Sequence, residues 1–447
     1  MRQYRRGSSV PTTLTSKKVG PPLLQESAPK AADLCLTAFN RRPTQRFPLK
    51  VINAVGAGLQ TLGFDFRNLD PERLCRAASK RTRLHDFGGN EFREPLRAFV
   101  EALEKAPPMH AFGRLAVRQT LLHALSNRLL LQAYWCTHPE ALEVPVRRPL
   151  FIMGSPRTGT TLLFNLLAQD SSHRPLINWE ASTPAPSTRQ RRPHHDYRYA
   201  ADVSGQLHYY LPELRHKHDC GPNDPEECNI LFLNSLESEI LYFWYDVTQY
   251  RMWLNVRERT ESYRYYQKQL KVLQHQRAGH RWLLKSTTHI FSLSALLTVF
   301  PDACIIQTHR DPLKALPSTC SLQATFRGLC YSVVDYARLG QESAEQLSLG
   351  LTNCRIDRSR FPAHHFYDSD YSKLVRDPIS VVKAIYRQFD FDLIQSTLDR
   401  MEKYLAAHPQ HKYGAHRYRL EDFGLDADRE RLRFADYISA FQIPEES

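Results

Sequence analysis

The chain has 447 residues, 42% of them hydrophobic, and a formal charge of +13, so it exceeds an average domain and carries enough apolar material for a sizeable core. That composition excludes a wholly disordered chain. The charge is not a nucleic-acid signature: residues 1–50 hold ten Lys/Arg against Glu26 and Asp33, a balance of +8, and no aromatic–basic module of the usual kinds follows.

Residues 1–30 read as a flexible basic tail, alternating basic, Ser/Thr and Pro residues without the apolar core of a signal peptide. A basic, acid-poor start also suits an organellar transit peptide, against which its prolines argue. Nine scattered cysteines form no CxxC pair, so a reducing, cytoplasmic location is expected and a disulfide framework or zinc ribbon is not. The longest stretches free of charge, Ser286 to Pro301 and Val51 to Phe64, are too short to span a bilayer. Residues 31–147 form a helical N-terminal region, with apolar residues at helical spacing in Leu96, Phe99, Val100, Leu103 and in Leu121, Leu122, Leu125, Leu129.

From residue 148 the pattern becomes α/β. Three short apolar runs, Pro149–Met153, Trp282–Leu284 and Ala303–Gln307, read as buried strands, each followed by a helix. Strands alternating with helices imply right-handed crossovers and a central parallel sheet covered on both faces. The polar and aromatic stretch of about 171–280 is too long for a loop and reads as a helical insertion on the acceptor side.

Gly154-Ser155-Pro156-Arg157-Thr158-Gly159-Thr160-Thr161 joins the first strand to its helix. Its glycines keep the spacing of the GxxxxGK[ST] P-loop and Thr161 holds the hydroxyl position, but Thr160 replaces the lysine and the cation is Arg157. Inward backbone N–H groups and a helix N-terminus suit an anion. Lacking the lysine, the loop serves one phosphate or a phosphosulfate better than a triphosphate with magnesium.

This loop resembles the 5′-phosphosulfate loop of the sulfotransferases that use 3′-phosphoadenosine 5′-phosphosulfate (PAPS). The arginine form is similar to the tyrosylprotein branch and to a broad, mainly bacterial family. A second hallmark is the strand-end Thr308-His309-Arg310-Asp311-Pro312, with Ser318 eight positions after Arg310. The resemblance runs from about residue 47 to 443, through Phe87-Gly88, Trp179-Glu180, Pro225-Glu226-Glu227-Cys228, Lys285-Ser286, Asp370-Tyr371 and His416–Gly424. One departure is Thr287-Thr288 before His289, where the family often has Pro-Gln.

The resemblance implies a P-loop-like three-layer fold and sulfuryl transfer from PAPS, a co-substrate, to a hydroxyl or amine of a small-molecule acceptor, without a metal. Ser155, Arg157, Thr158, Gly159, Thr160 and Thr161 would then bind the phosphosulfate, and Arg310 and Ser318 the 3′-phosphate. Tyr371 would lie near the adenine and Arg417 would add a cation. Lys285 and Arg157 would flank the leaving oxygen. For the base, two residues compete: Glu180, 23 positions after Arg157, and His289, four after Lys285. A histidine suits neutral pH untuned, whereas a glutamate needs partial burial to raise its pKa. The arginine-type loop favours Glu180.

His216, His218, Cys220 and Cys228 fit no common zinc spacing. The aromatic crowd Tyr242, Phe243, Trp244, Tyr245, Tyr250, Trp253, Tyr263, Tyr265 and Tyr266 suits helix packing or the wall of an apolar acceptor pocket. The rival functions are a P-loop kinase or NTPase, and an inactive binding protein that keeps the fold. Thr160 and the Arg310/Ser318 pair argue against the first, and the intact basic residues against the second.

Overall fold

The computed structural model describes residues 47–61, 69–186, 195–211, 214, 221–408 and 418–446, all within one compact unit, Phe39–Ser447. The expected tail, the His216/His218/Cys220 group and Arg417 lie outside the described residues.

Among the described residues four helices precede the sheet: α1 (Phe47–Thr61), α2 (Pro71–Thr82), α3 (Arg93–Glu104) and α4 (Ala111–Thr137). Asp70 caps α2 by accepting from the Arg73 N–H (2.8 Å), with Pro71 at the first helical position. The apolar faces of these helices do not close on themselves. Leu74, Phe99, Leu121 and Leu125 share a core with Leu241, Tyr245 and Tyr250 of the later insertion.

The sheet is β1 (Leu150–Gly154), β2 (His173–Pro175), β3 (Arg281–Lys285), β4 (Cys304–His309) and β5 (Phe366–Asp370), in the order β2-β3-β1-β4-β5. Every pairing is parallel. Side chains alternate across it with period two. Phe151, Met153, Trp282, Leu284 and Ile305 enter one core, while Leu150, Ile152, Leu283, Cys304 and Ile306 enter the other. Both faces are covered, which is why β1 and β4 are buried along their whole length.

The elements around the sheet follow in chain order. After β1 comes α5 (Thr160–Leu167). After β2 come α6 (Asn178–Ser182), α7 (His195–Tyr210), α8 (Asn229–Phe232), α9 (Glu239–Trp244), α10 (Thr248–Asn255) and α11 (Thr260–Gln276). A 3-10 turn (Thr287–Phe291) and α12 (Leu293–Val299) link β3 to β4. Then come α13 (Pro312–Cys330) and α14 (Tyr336–Arg358) before β5, and α15 (Tyr371–Arg376), α16 (Pro378–Gln388), α17 (Gln395–Ala407), α18 (Ala427–Arg433) and α19 (Ala435–Ala440) after it. The architecture is the expected α/β one, a central parallel sheet between helical layers. The insertion is mostly helical but also supplies β2. No helix among the described residues is long and apolar enough to cross a membrane.

Candidate active site

A ligand site in an open parallel sheet forms beyond the carboxyl ends of its strands, and here β1, β3 and β4 end together. β1 passes into the loop through Gly154, whose φ of 146° belongs to glycine. A Cβ there would come within 2.3 Å of Thr308 Oγ1, so the loop lies directly against β4. Gly159 (φ 86°) is the N-cap of α5. A side chain at that position would meet Leu374 and Tyr371, which brings the Tyr371 ring over the loop.

The loop's own hydroxyls divide by role. Thr158 Oγ1 bonds the Ser155 carbonyl (2.7 Å) and Thr308 Oγ1, and is buried. That side chain fastens the loop to β4, which leaves its backbone N–H as the group it can offer to an anion. Ser155 Oγ is buried with no hydrogen-bond partner. Thr160 and Thr161 line a cavity of about 900 Å³, together with Arg157, Gly159, Arg310 and Tyr371.

Two cations converge on this loop. Arg310, at the end of β4, donates from Nη1 to the Arg157 carbonyl (3.0 Å) and lies 4.0 Å over the Tyr371 ring. Lys285, at the end of β3, is 3% exposed and donates to Thr161 Oγ1 (3.3 Å). Its Nζ is also 2.7 Å from Glu227 Oε1. Ser318, half-buried on α13, is not among the residues that line the cavity.

Both expected bases are elsewhere. Glu180 is 2% exposed, held by Arg174 (3.1 Å) and Arg277 (2.9 Å), and does not line the cavity. Burial raises its pKa, against the lowering pull of the two guanidinium groups. Its carboxylate pairs with Arg174, itself stacked 3.8 Å over Trp282, while Asn178, Ala181 and Ser182 of the same helix line the cavity. His289 is fully buried among Phe151, Phe232 and Tyr266, and its Nδ1 bonds Tyr263 OH (2.8 Å). Burial, with Arg259 adding to it, pushes its pKa down to about 3. It is not among the residues that line the cavity, and its ring is uncharged at neutral pH. The structure thus places neither expected base among those that line the cavity.

Four glutamates line the cavity, Glu226, Glu227, Glu239 and Glu342, and of these Glu227 is the one paired with Lys285. Backbone pairing positions it: Glu226 N–H donates to the Leu176 carbonyl (2.8 Å) and Cys228 N–H to the Lys285 carbonyl (2.9 Å). The strand-like Pro225–Cys228 segment is thereby stitched to the ends of β2 and β3, and Glu227 is aimed at Lys285. Asn229 Nδ2 donates to its Oε2 (3.2 Å). The sequence signal was present in Pro225-Glu226-Glu227-Cys228, one of the segments that carry the resemblance. Cys228, the one described member of the zinc-like group, is buried, its thiol pushed up to about 12.

The aromatic crowd divides. Tyr242, Phe243 and Trp244 of α9 line the cavity, whereas Tyr245, Tyr250, Tyr263 and Tyr266 are core residues. Among the described residues no group of three or more His, Cys, Asp or Glu could hold a metal ion.

Comparison with known proteins agrees with this architecture. Residues 149–395 match the model of a sulfotransferase family. The chain is 32% identical to the sulfotransferase STF1 of Mycobacterium tuberculosis H37Rv, with a TM-score of 0.72 over 82% of this chain and 98% of that one. It is 31% identical to STF9 of Mycobacterium avium, with a TM-score of 0.76 over 84% and 97%. It is also 28% identical over 338 residues to the omega-hydroxy-beta-dihydromenaquinone-9 sulfotransferase Stf3 of Mycobacterium bovis, covering 70% of this chain and 81% of that protein. The loop, the strand-end cations and these likenesses lead to one assignment: the chain belongs to the sulfotransferase family and is a sulfotransferase enzyme.

Proposed function

We propose that the enzyme transfers the sulfuryl group of PAPS to the hydroxyl of a bulky, apolar small molecule, with Glu227 as the general base. The observation that carries this reading is Lys285 Nζ, set between Glu227 Oε1 (2.7 Å) and Thr161 Oγ1 (3.3 Å) at the foot of the loop. A base and a leaving-group cation are thus within one hydrogen bond of each other.

The residues present fit the donor. Ser155 Oγ is a buried hydroxyl with no partner beneath the loop. Arg310 already forks onto a carboxylate, Glu446, from Nε (2.9 Å) and Nη2 (2.9 Å), the geometry a guanidinium presents to a phosphate. Arg310 would hold the 3′-phosphate, with Ser318 reaching it from α13 as the resemblance implies, and Tyr371 would cover the adenine side. The donor supplies a sulfuryl group joined through oxygen to a phosphate leaving group. As the acceptor oxygen bonds to sulfur and the bridging S–O bond breaks, the electron pair passes to the phosphate oxygen. Arg157 and Lys285 neutralise that oxygen, and Glu227 takes the acceptor proton. Positioning and electrostatics dominate such a transfer.

Tyr242, Phe243, Trp244, Phe291 and Phe326 on the wall favour an apolar acceptor. One relative is named for a menaquinone derivative with a terminal hydroxyl, which is consistent with that class. Thermal shift tests the reading. Adenosine 3′,5′-bisphosphate should stabilise the protein far more than AMP or ATP with magnesium, and Arg310→Ala should remove the difference. Equal stabilisation by AMP would contradict it.

A further inference from the structure

The cavity reaches well beyond the residues assigned to sulfuryl transfer. Arg310 immediately precedes α13, and Thr319, Leu322, Gln323, Phe326 and Arg327 of that helix lie on the cavity wall. Their spacing places them on one helix face. At ~1.5 Å per residue, Gln323 and Arg327 stand roughly 17–22 Å along the helix from Pro312. There α13 meets α9, α10 and α14, which add Tyr242, Arg251 and Gln346 to the wall.

Nearly every polar group at this end has a protein partner. Arg327 pairs with Asp246 (3.2 Å) and Glu342 (3.6 Å), and Glu239 with Arg259 (2.8 Å). Ser343 Oγ donates to Gln323 Oε1 (2.9 Å), and Gln346 Nε2 donates to Asn255 Oδ1 (2.8 Å) and Tyr242 OH (3.2 Å). Arg251 differs. It is 9% exposed, its Nη1 donates only to the Glu342 backbone carbonyl (3.1 Å), and its Nε has no hydrogen-bond partner. Among the described residues it forms no ion pair. A guanidinium stays charged at every physiological pH, and a buried charge without a counter-charge is costly. A carboxylate accepts the two-pronged bond that the group offers.

We propose that Arg251 is a receptor for a carboxylate on the acceptor itself. The substrate is then an amphiphilic hydroxy acid. Its reacting hydroxyl lies at Glu227, its hydrocarbon body runs along Leu322 and Phe326, and its acid group forks onto Arg251. This inference rests on the assignment of the Glu227 end as the reacting end.

The test is calorimetric binding of a series of ω-hydroxy fatty acids of eight to sixteen carbons, each beside its methyl ester, to the full-length protein. The wild type should bind the best acid at least about tenfold more tightly than its ester, on the scale of one charge-assisted fork. Arg251→Gln should erase that preference and leave ester affinity unchanged. Arg251→Lys, which keeps the charge but loses the fork, should retain part of it and guards against a folding defect in the first variant. Equal binding of acid and ester by the wild type, or a preference that survives Arg251→Gln, overturns the proposal. Binding is read without turnover. An acid preference in a protein that fails to transfer sulfate would therefore count against Glu227 as the base and leave the Arg251 assignment standing.

Discussion

Arg310 and Glu446 form a bidentate pair: Nε lies 2.9 and 3.1 Å from the two carboxylate oxygens, and Nη2 lies 2.9 Å from Oε2. The segment that carries Glu446 is also held through its neighbour Glu445. Glu445 accepts from Arg431 (3.0 Å), and Arg431 also binds Asp311, the N-cap of α13. A carboxylate thus stands where the proposed function puts the 3′-phosphate.

Nucleotide binding must then displace Glu446 from Arg310. Glu446→Ala should tighten adenosine 3′,5′-bisphosphate binding by about two- to fivefold, since a part-exposed ion pair is worth about 1 kcal/mol or less. AMP, which lacks the 3′-phosphate, should gain nothing. Titration calorimetry of both nucleotides on both proteins measures this. Weaker bisphosphate binding to the variant would show that Glu446 supports the site instead of competing for it.

Glu180 should behave as a structural residue. Glu180→Gln leaves Arg174, only 4% exposed, as a buried charge that still donates to the Leu273 carbonyl (2.9 Å). Losing one partner of a buried pair costs about 3–5 kcal/mol. Denaturant unfolding should report a loss of that order, while kcat of the folded fraction changes little.

His289 contributes a pH dependence of stability. Its pKa is about 3 in the folded protein, against an ordinary value of 6.5. Between those values the unfolded chain binds a proton that the folded chain refuses. Stability from this group is therefore complete above pH 6.5 and falls as the pH drops towards 3, by at most about 1.4 kcal/mol per unit. His289→Phe should flatten the curve of unfolding free energy between pH 6.5 and 4 without lowering kcat at pH 8. An unchanged slope would show that His289 is not buried as a neutral ring.

What could be read from the sequence follows what is local. β1, β3 and β4 are legible because central parallel strands are continuous apolar runs. The edge strands β2 (His-Arg-Pro) and β5 (Phe-Tyr-Asp-Ser-Asp) carry little apolar signal and become strands only through pairing with β3 and β4. The loop and the strand-end cations Lys285 and Arg310 are legible through their likeness to the family's motifs. The proposed base is not. Glu180 is neutralised by Arg277, 97 residues away. Glu227 becomes a site residue only once Cys228 pairs with the Lys285 carbonyl. The segment was visible in the sequence and its long-range partner was not.

The most direct measurement is the turnover of Glu227→Gln beside that of Glu180→Gln, with labelled PAPS and an apolar alcohol as acceptor. Glutamine keeps the shape of Glu227 and removes its proton-accepting charge. The account predicts a fall in kcat of about 10²–10⁴-fold for Glu227→Gln, measured on the folded protein, with adenosine 3′,5′-bisphosphate affinity near that of the wild type. Glu180→Gln should show the opposite profile, lost stability with kcat retained. A Glu227→Gln enzyme that turns over at the wild-type rate, or a Glu180→Gln enzyme that is folded and inactive, would contradict the placement of the chemistry at Glu227 and Lys285.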